Sequence, residues 1–162
     1  MTAIDYSKLF DVATVAGEDD EETRELRALY RAAQSFIGSF HWHGEIKRAL
    51  FGLGVADIVG VFLVELEPVS ADIDSIWWVV VGDVPPAYLP ANRASEPDLA
   101  LEIYIHEMRR WVEAVREGRD LADVIPVNAP PTMDNAADLE KRLNFLETEI
   151  IAWYRQDRED GA

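Results

Sequence analysis

The chain has no cysteine. That excludes disulfides, thiolate catalysis and cysteine-ligated zinc or iron–sulfur centres. Basic residues are scarce as well: 15 Lys and Arg stand against 31 Asp and Glu, and the net charge is -16. Such a chain is repelled by nucleic-acid phosphates and by anionic lipid surfaces, so neither nucleic acid nor membrane is expected as a partner. Long apolar runs are missing too. The run Ile58 to Val64, like the other apolar stretches, is far short of the roughly 20 residues that cross a bilayer. The N-terminal residues show no basic segment followed by an apolar one, so no secretory leader is expected. There is no G-x-S-x-G, no Walker lysine loop and no G-x-G-x-x-G, and with them go the commonest signatures of hydrolases, nucleotide-binding proteins and dinucleotide enzymes. The composition leads us to expect a soluble, cytoplasmic protein with no cofactor.

What is present is apolar patterning. Hydrophobic residues make up 49% of the 162, enough for one domain spanning residues 1–162. The most informative stretch is Ile76 to Pro90, I-W-W-V-V-V-G-D-V-P-P-A-Y-L-P. In a strand, alternate side chains face opposite ways, so Ile76, Trp78 and Val80 share one face and Trp77, Val79 and Val81 the other. Neither face is polar. Both must be covered, by helices of the chain or by a second molecule. Adjacent Trp77 and Trp78 are therefore candidate interface residues, of the kind that anchor a homodimer or a partner.

Leu26, Leu29, Tyr30, Ala33 and Ile37 recur at helical spacing and predict a helix from about Asp20, stopped by Gly38. The acidic run Glu18–Glu22 suits the positive end of that helix's dipole. Phe40 to Leu66 predicts two strands, over Phe40–Phe51 and Ile58–Leu66, with a turn near Gly52–Asp57. The strand over Ile76–Gly82 follows a polar connection, and Asp83–Glu96 reads as a proline-rich loop. A second helix is expected from Glu96 to Glu117, N-capped by Ser95, and a third to about Arg155, capped by Thr132 or Asp134. Along the third, Leu139, Leu143, Leu146, Ile150 and Trp153 form a bundle-like seam. Residues 1–17 read as a docking segment with a short helix, and 156–162 as a frayed tail. The order of elements predicts an α+β fold, a small antiparallel sheet of three or more strands packed with three main α-helices.

Candidate chemistry is sparse. His41 and His43, two apart on a strand, would share a face and could meet one divalent ion with further ligands. Asp83 ends a strand at a stiff Pro-Pro turn, a place where functional groups often sit but also one where Asp serves local turn bonding. Tyr88 and Asn128, in proline-rich loops, are its candidate neighbours. His106 flanks the apolar stripe of the second helix and reads as a surface residue. Arg109 and Arg110 are expected to pair with Glu113 and its neighbours on the same helix.

The segments W-W-V-V-V-G-D-V-P-P-A-Y-L-P, M-R-R-W-V-E-A-V-R-E-G and I-P-V-N-A-P-P-T resemble a group of small acidic bacterial proteins. No activity is attached to that group, so the resemblance implies no cofactor, catalytic residue or partner. The missing catalytic motifs, the surplus negative charge and the two-sided apolar sheet together favour a binding protein. Its expected partner is a basic protein, as for a toxin-neutralising immunity-type protein, or a second copy of the chain. The rival reading is a small metal-dependent or hydrolytic enzyme using His41, His43 and Asp83.

Overall fold

The computed structural model describes residues 3–68 and 75–160. The expected polar connection before Ile76 lies mostly outside them. The architecture is α+β. The chain divides into two compact units, Met1–Ala100 and Leu101–Ala162.

The first unit is built on a five-stranded antiparallel meander: β1 (Phe10–Asp11), β2 (His43–Val55), β3 (Val59–Pro68), β4 (Ile76–Gly82) and β5 (Ala87–Pro90), in that spatial order. Helix α1 (Asp20–Gly38) precedes β2. The register places apolar residue opposite apolar residue across the centre: Phe62 faces Val79, Leu63 faces Trp78, Val61 faces Val80 and Trp78 faces Leu89. Leu26, Leu29, Ala33 and Ile37 of α1 pack on the face carrying Phe62, Val64, Leu66, Val79 and Val81. The opposite face, with Val61, Leu63, Trp78, Val80 and Leu89, is buried as well. Both sides of the sheet are thus covered, as the unbroken apolar run demands. Helix α1 opens where Asp19 accepts from the Glu22 N–H at 2.8 Å, with Asp20, Glu21 and Glu22 in its first turn. Those charges complement the exposed N–H groups there.

Three parts of this unit differ from the sequence reading. The turn predicted at Gly52–Asp57 is shorter, and Gly52 and Gly54 lie inside β2. A side chain at Gly52 would strike the Pro97 ring, and one at Gly54 the Phe51 ring. These glycines admit close neighbours rather than a reversal. Ala87–Pro90, predicted as loop, is the edge strand β5. Prolines hide a strand from propensity, yet an edge tolerates a missing N–H. The short helix expected in the first 17 residues is instead two 3-10 turns, Tyr6–Lys8 and Val12–Thr14, around the two-residue strand β1. Asp5 and Asp11 each cap the following turn with a side-chain oxygen, so local carboxylate bonding outcompetes a longer helix.

Helix α2 (Pro97–Glu117) begins four residues before the division and continues into the second unit, with α3 (Met133–Phe145), a π turn (Leu146–Ile150) and α4 (Ile151–Asp160). Thr132 caps α3, accepting from the Asn135 N–H at 3.1 Å. Three ion pairs join α2 to the C-terminal helices: Glu102 with Arg155, Arg109 with Glu147, and Arg116 with Glu140. On α2 the rungs fall seven and seven residues apart. On the other side they fall seven apart from 140 to 147 and eight from 147 to 155, and the longer interval contains the π turn. A π turn takes one extra residue, which keeps the Arg155 rung opposite Glu102. It also corrects the predicted seam. Leu139, Leu143, Leu146 and Ile150 are buried, but beyond the turn Ile151 and Tyr154 take the inner positions and Trp153 is 48% exposed. The helix runs to Asp160 where a frayed tail from 156 was expected.

Candidate functional site

The residues singled out by sequence do not form one site. His43 opens β2 opposite Pro68, whereas Gly82, beside Asp83, lies opposite Val59. Nine steps of β3 separate those positions, roughly 30 Å at strand rise. His41 stands exposed in a bend before β2. The His43 ring turns inward, with Nδ1 2.6 Å from the Gly44 carbonyl and Nε2 2.8 Å from the Ile37 carbonyl. Both of its nitrogens are turned to carbonyl oxygens of the chain, so neither is directed toward a metal shared with His41. Asp83 donates its N–H to the Ile58 carbonyl at 2.9 Å and is exposed at the far end of β4. Asn128 is exposed in the second unit. Among the described residues, no group of three or more His, Asp or Glu is placed to hold a metal ion.

His43 and Tyr88 are brought together, but by packing. Trp42 lies 4.7 Å from the His43 ring, 5.0 Å from Trp77 and 5.3 Å from Tyr88 between centroids. Phe36 and Phe40 close the group against Tyr88 at 6.0 and 5.2 Å. Edge-on and tilted rings at such distances are favourable contacts. Trp77 is half-buried in this cluster. Trp78 is fully buried on the other face, and its indole N–H donates to the Ala94 carbonyl at 3.0 Å.

A concave surface lies elsewhere in the first unit. The N-terminal segment, α1 and β2 enclose an open groove of about 250 Å3 lined by Phe10, Thr14, Val15, Ala16, Leu26 and Phe51. Phe10 is 54% exposed on its margin. The segment that forms the outer wall is tied down at several points. The Asp5 N–H reaches the Ser95 carbonyl at 2.9 Å, Lys8 pairs with Glu96 at 3.7 Å, and Arg48 lies over the Tyr6 ring. The Gly17 N–H donates to the Thr23 hydroxyl at 2.8 Å, which sets the segment's departure from α1.

A cluster of carboxylates includes a neighbour in sequence of the lining residue Leu26. Glu25 is adjacent to Leu26, and its carboxyl is held above its ordinary value by desolvation and by the charges of Asp57, Glu21, Asp19 and Glu22. Asp57 comes from the β2–β3 turn, with φ +64°, and the other three from the start of α1. Five carboxylates from two elements thus interact with one another, and none of them is among the residues that line the groove. Arg24 and Arg27 on the same helix offset part of this charge, and Arg27 Nε points at the Val15 carbonyl at 3.4 Å. Sequence reading missed this place. It explained the acidic run by the helix dipole and read residues 1–17 as a docking segment with a short helix. The available signal was that the run is longer than one helix end needs.

The chain matches no protein-family model, no curated protein and no solved structure.

Proposed function

We propose that this chain is a binding protein whose partner is a basic protein, held at the groove between the N-terminal segment, α1 and β2. The observations that support this reading are the apolar groove and the cluster of carboxylates around Glu25, the neighbour of the lining residue Leu26 on α1. Mutually repelling carboxylates destabilise the free protein locally. A cationic partner relieves that repulsion while an apolar side chain fills the depression, so both terms favour association. The overall charge of -16 supports it by steering a basic partner toward the surface. Neutralisation of a basic toxin, in the manner of an immunity protein, is the concrete form of this reading. An interface built on the sheet faces has less to recommend it, since those faces are already buried.

The test uses a labelled synthetic peptide of two leucines flanked by arginines, followed by fluorescence anisotropy across a salt series. The expected result is saturable binding that weakens with salt, and a loss of about tenfold at low salt in the triple variant Glu21→Gln, Glu25→Gln, Asp57→Asn. Binding that the triple variant leaves unchanged would refute the assignment.

A further inference from the structure

The second unit carries a cleft with a different character. It has a volume of about 400 Å3 and lies between α2 and the C-terminal helices, within the size range of small-molecule sites. Glu102, His106 and Arg109 line it from α2, and Glu147 and Arg155 from the opposite wall. Ile105 and Ile151 supply its apolar part. The charges are ordered. At one end Arg155 pairs with Glu102. At the other, Arg109 donates to both Glu147 oxygens at 2.8 and 3.1 Å and to Asn144 Oδ1 at 2.8 Å. His106 stands between the two pairs, exposed and with no hydrogen-bond partner among the described residues. In a chain this acidic, the cleft balances two guanidiniums against two carboxylates.

From this arrangement we propose that the cleft binds a small zwitterion, with its carboxylate received by Arg109 and His106, its ammonium by Glu102, and an apolar middle lying on Ile105 and Ile151. The spacing suits an extended ligand. Glu102 and Arg109 are two helical turns apart, roughly 10 Å along the axis. A ligand with one charge sign meets an opposing carboxylate or guanidinium at its other end. A ligand with both signs meets a complement at each. The resident ion pairs are solvent-exposed and weak, so they hold the groups in place without preventing exchange of partners. The π turn has a role in this as well. It sets Glu147, Ile151 and Arg155 on one wall, and such turns recur at functional sites.

The test is a titration of the whole chain with ε-aminocaproate, read from the imidazole resonances of His106. Hexanoate and hexylamine supply the two charged ends separately. The expected result is a saturable shift with the zwitterion below about 50 mM, and at least tenfold weaker responses to the two single-charge compounds, the effect of losing one charge-assisted hydrogen bond. Glu102→Gln and Arg109→Ala should each weaken the response about tenfold. Because Arg109→Ala also removes a bridge between helices, its thermal unfolding is recorded alongside, and Glu102→Gln decides the question if that variant fails to fold. No saturable shift at that concentration, or an equal response to hexanoate, would overturn the proposal. Neither result touches the groove in the first unit.

Discussion

Replacing Gly82 with Ala is expected to be among the most damaging single substitutions in the sheet. Gly82 ends β4 with φ +133°, a region that only glycine enters freely. A Cβ there would run into the Ile58 carbonyl oxygen and lie 2.8 Å from Val59 Cα. Both are backbone atoms of the neighbouring chain segment, so no side-chain rotation gives relief. The Ile58 carbonyl also accepts the Asp83 N–H. Backbone strain of about 1–3 kcal/mol and a lost hydrogen bond of about 1 kcal/mol bring the expected destabilisation to roughly 2–4 kcal/mol, before any clash. In urea, where small proteins lose about 1–3 kcal/mol per molar denaturant, the midpoint should fall by roughly 1–4 M. Two other glycines are the controls. Gly118 also has positive φ, +67°, but open space where a Cβ would go, so Gly118→Ala should cost only about 1–2 kcal/mol. Gly38 is helical with nothing within 4 Å, and Gly38→Ala should stabilise by about 0.5–1 kcal/mol. If Gly82→Ala cost no more than Gly118→Ala, the clash at the β4 end would not exist and the reasoning would fail.

The buried indoles separate in the same way. Trp78→Phe strands the Ala94 carbonyl and opens space in the core, and should lower stability by about 2–4 kcal/mol in chemical denaturation. Trp42 Nε1 is buried without a hydrogen-bond partner, so Trp42→Phe removes an unsatisfied donor and should cost under about 1 kcal/mol. Glu25→Gln tests the carboxylate cluster through pH. A carboxyl whose folded pKa is raised binds its proton more tightly in the native state, so its ionisation lowers stability as pH rises from the ordinary carboxylate value through the folded one. The variant should therefore be more stable than the parent at neutral pH, and the gain should vanish in acid where both carry a neutral side chain. Deleting Thr148, whose hydroxyl donates to the Asn144 carbonyl within the π turn, should restore a regular helix with both ion-pair intervals at seven. Stability within about 1 kcal/mol of the parent is expected, whereas removal of a residue from regular α3 should throw the rungs out of register and unfold this unit, as circular dichroism would report.

The strongest periodic segments were legible in the sequence. Leu26 to Ile37 gave α1 with Gly38 at its end, the run from Ile76 to Gly82 gave β4, and the stripe from Leu101 to Val112 gave most of α2. Each repeats one period long enough to outweigh local noise. What escaped depends on tertiary neighbours. Gly52 and Gly54 read as turn residues because the Pro97 and Phe51 rings that crowd them are invisible to a local window. Tyr88 and Leu89 sit in β5 because β4 lies beside them, against the bias of flanking prolines. The seam through Trp153 was extrapolated past Leu146, where one extra residue turned the helix. The pairing of Arg109 also escaped. Its hydrogen bonds go to Glu147 and Asn144 across the unit, while Glu113 on the same helix acts on it only through charge, and such a choice is set by helix packing. The carboxylate cluster was visible as a charge run, but its gathering with Asp57 required the β2–β3 turn to meet α1.

The groove itself is tested most directly by mapping backbone amide shifts of the chain on addition of the leucine–arginine peptide. The account predicts that perturbations concentrate on Phe10, Val15, Leu26 and Phe51 and on the acidic residues from Asp19 to Glu25 and at Asp57, and that the triple charge variant needs about tenfold more peptide to produce them. A footprint spread evenly over the acidic surface, or centred on the Trp42–Tyr88 rings, would contradict it.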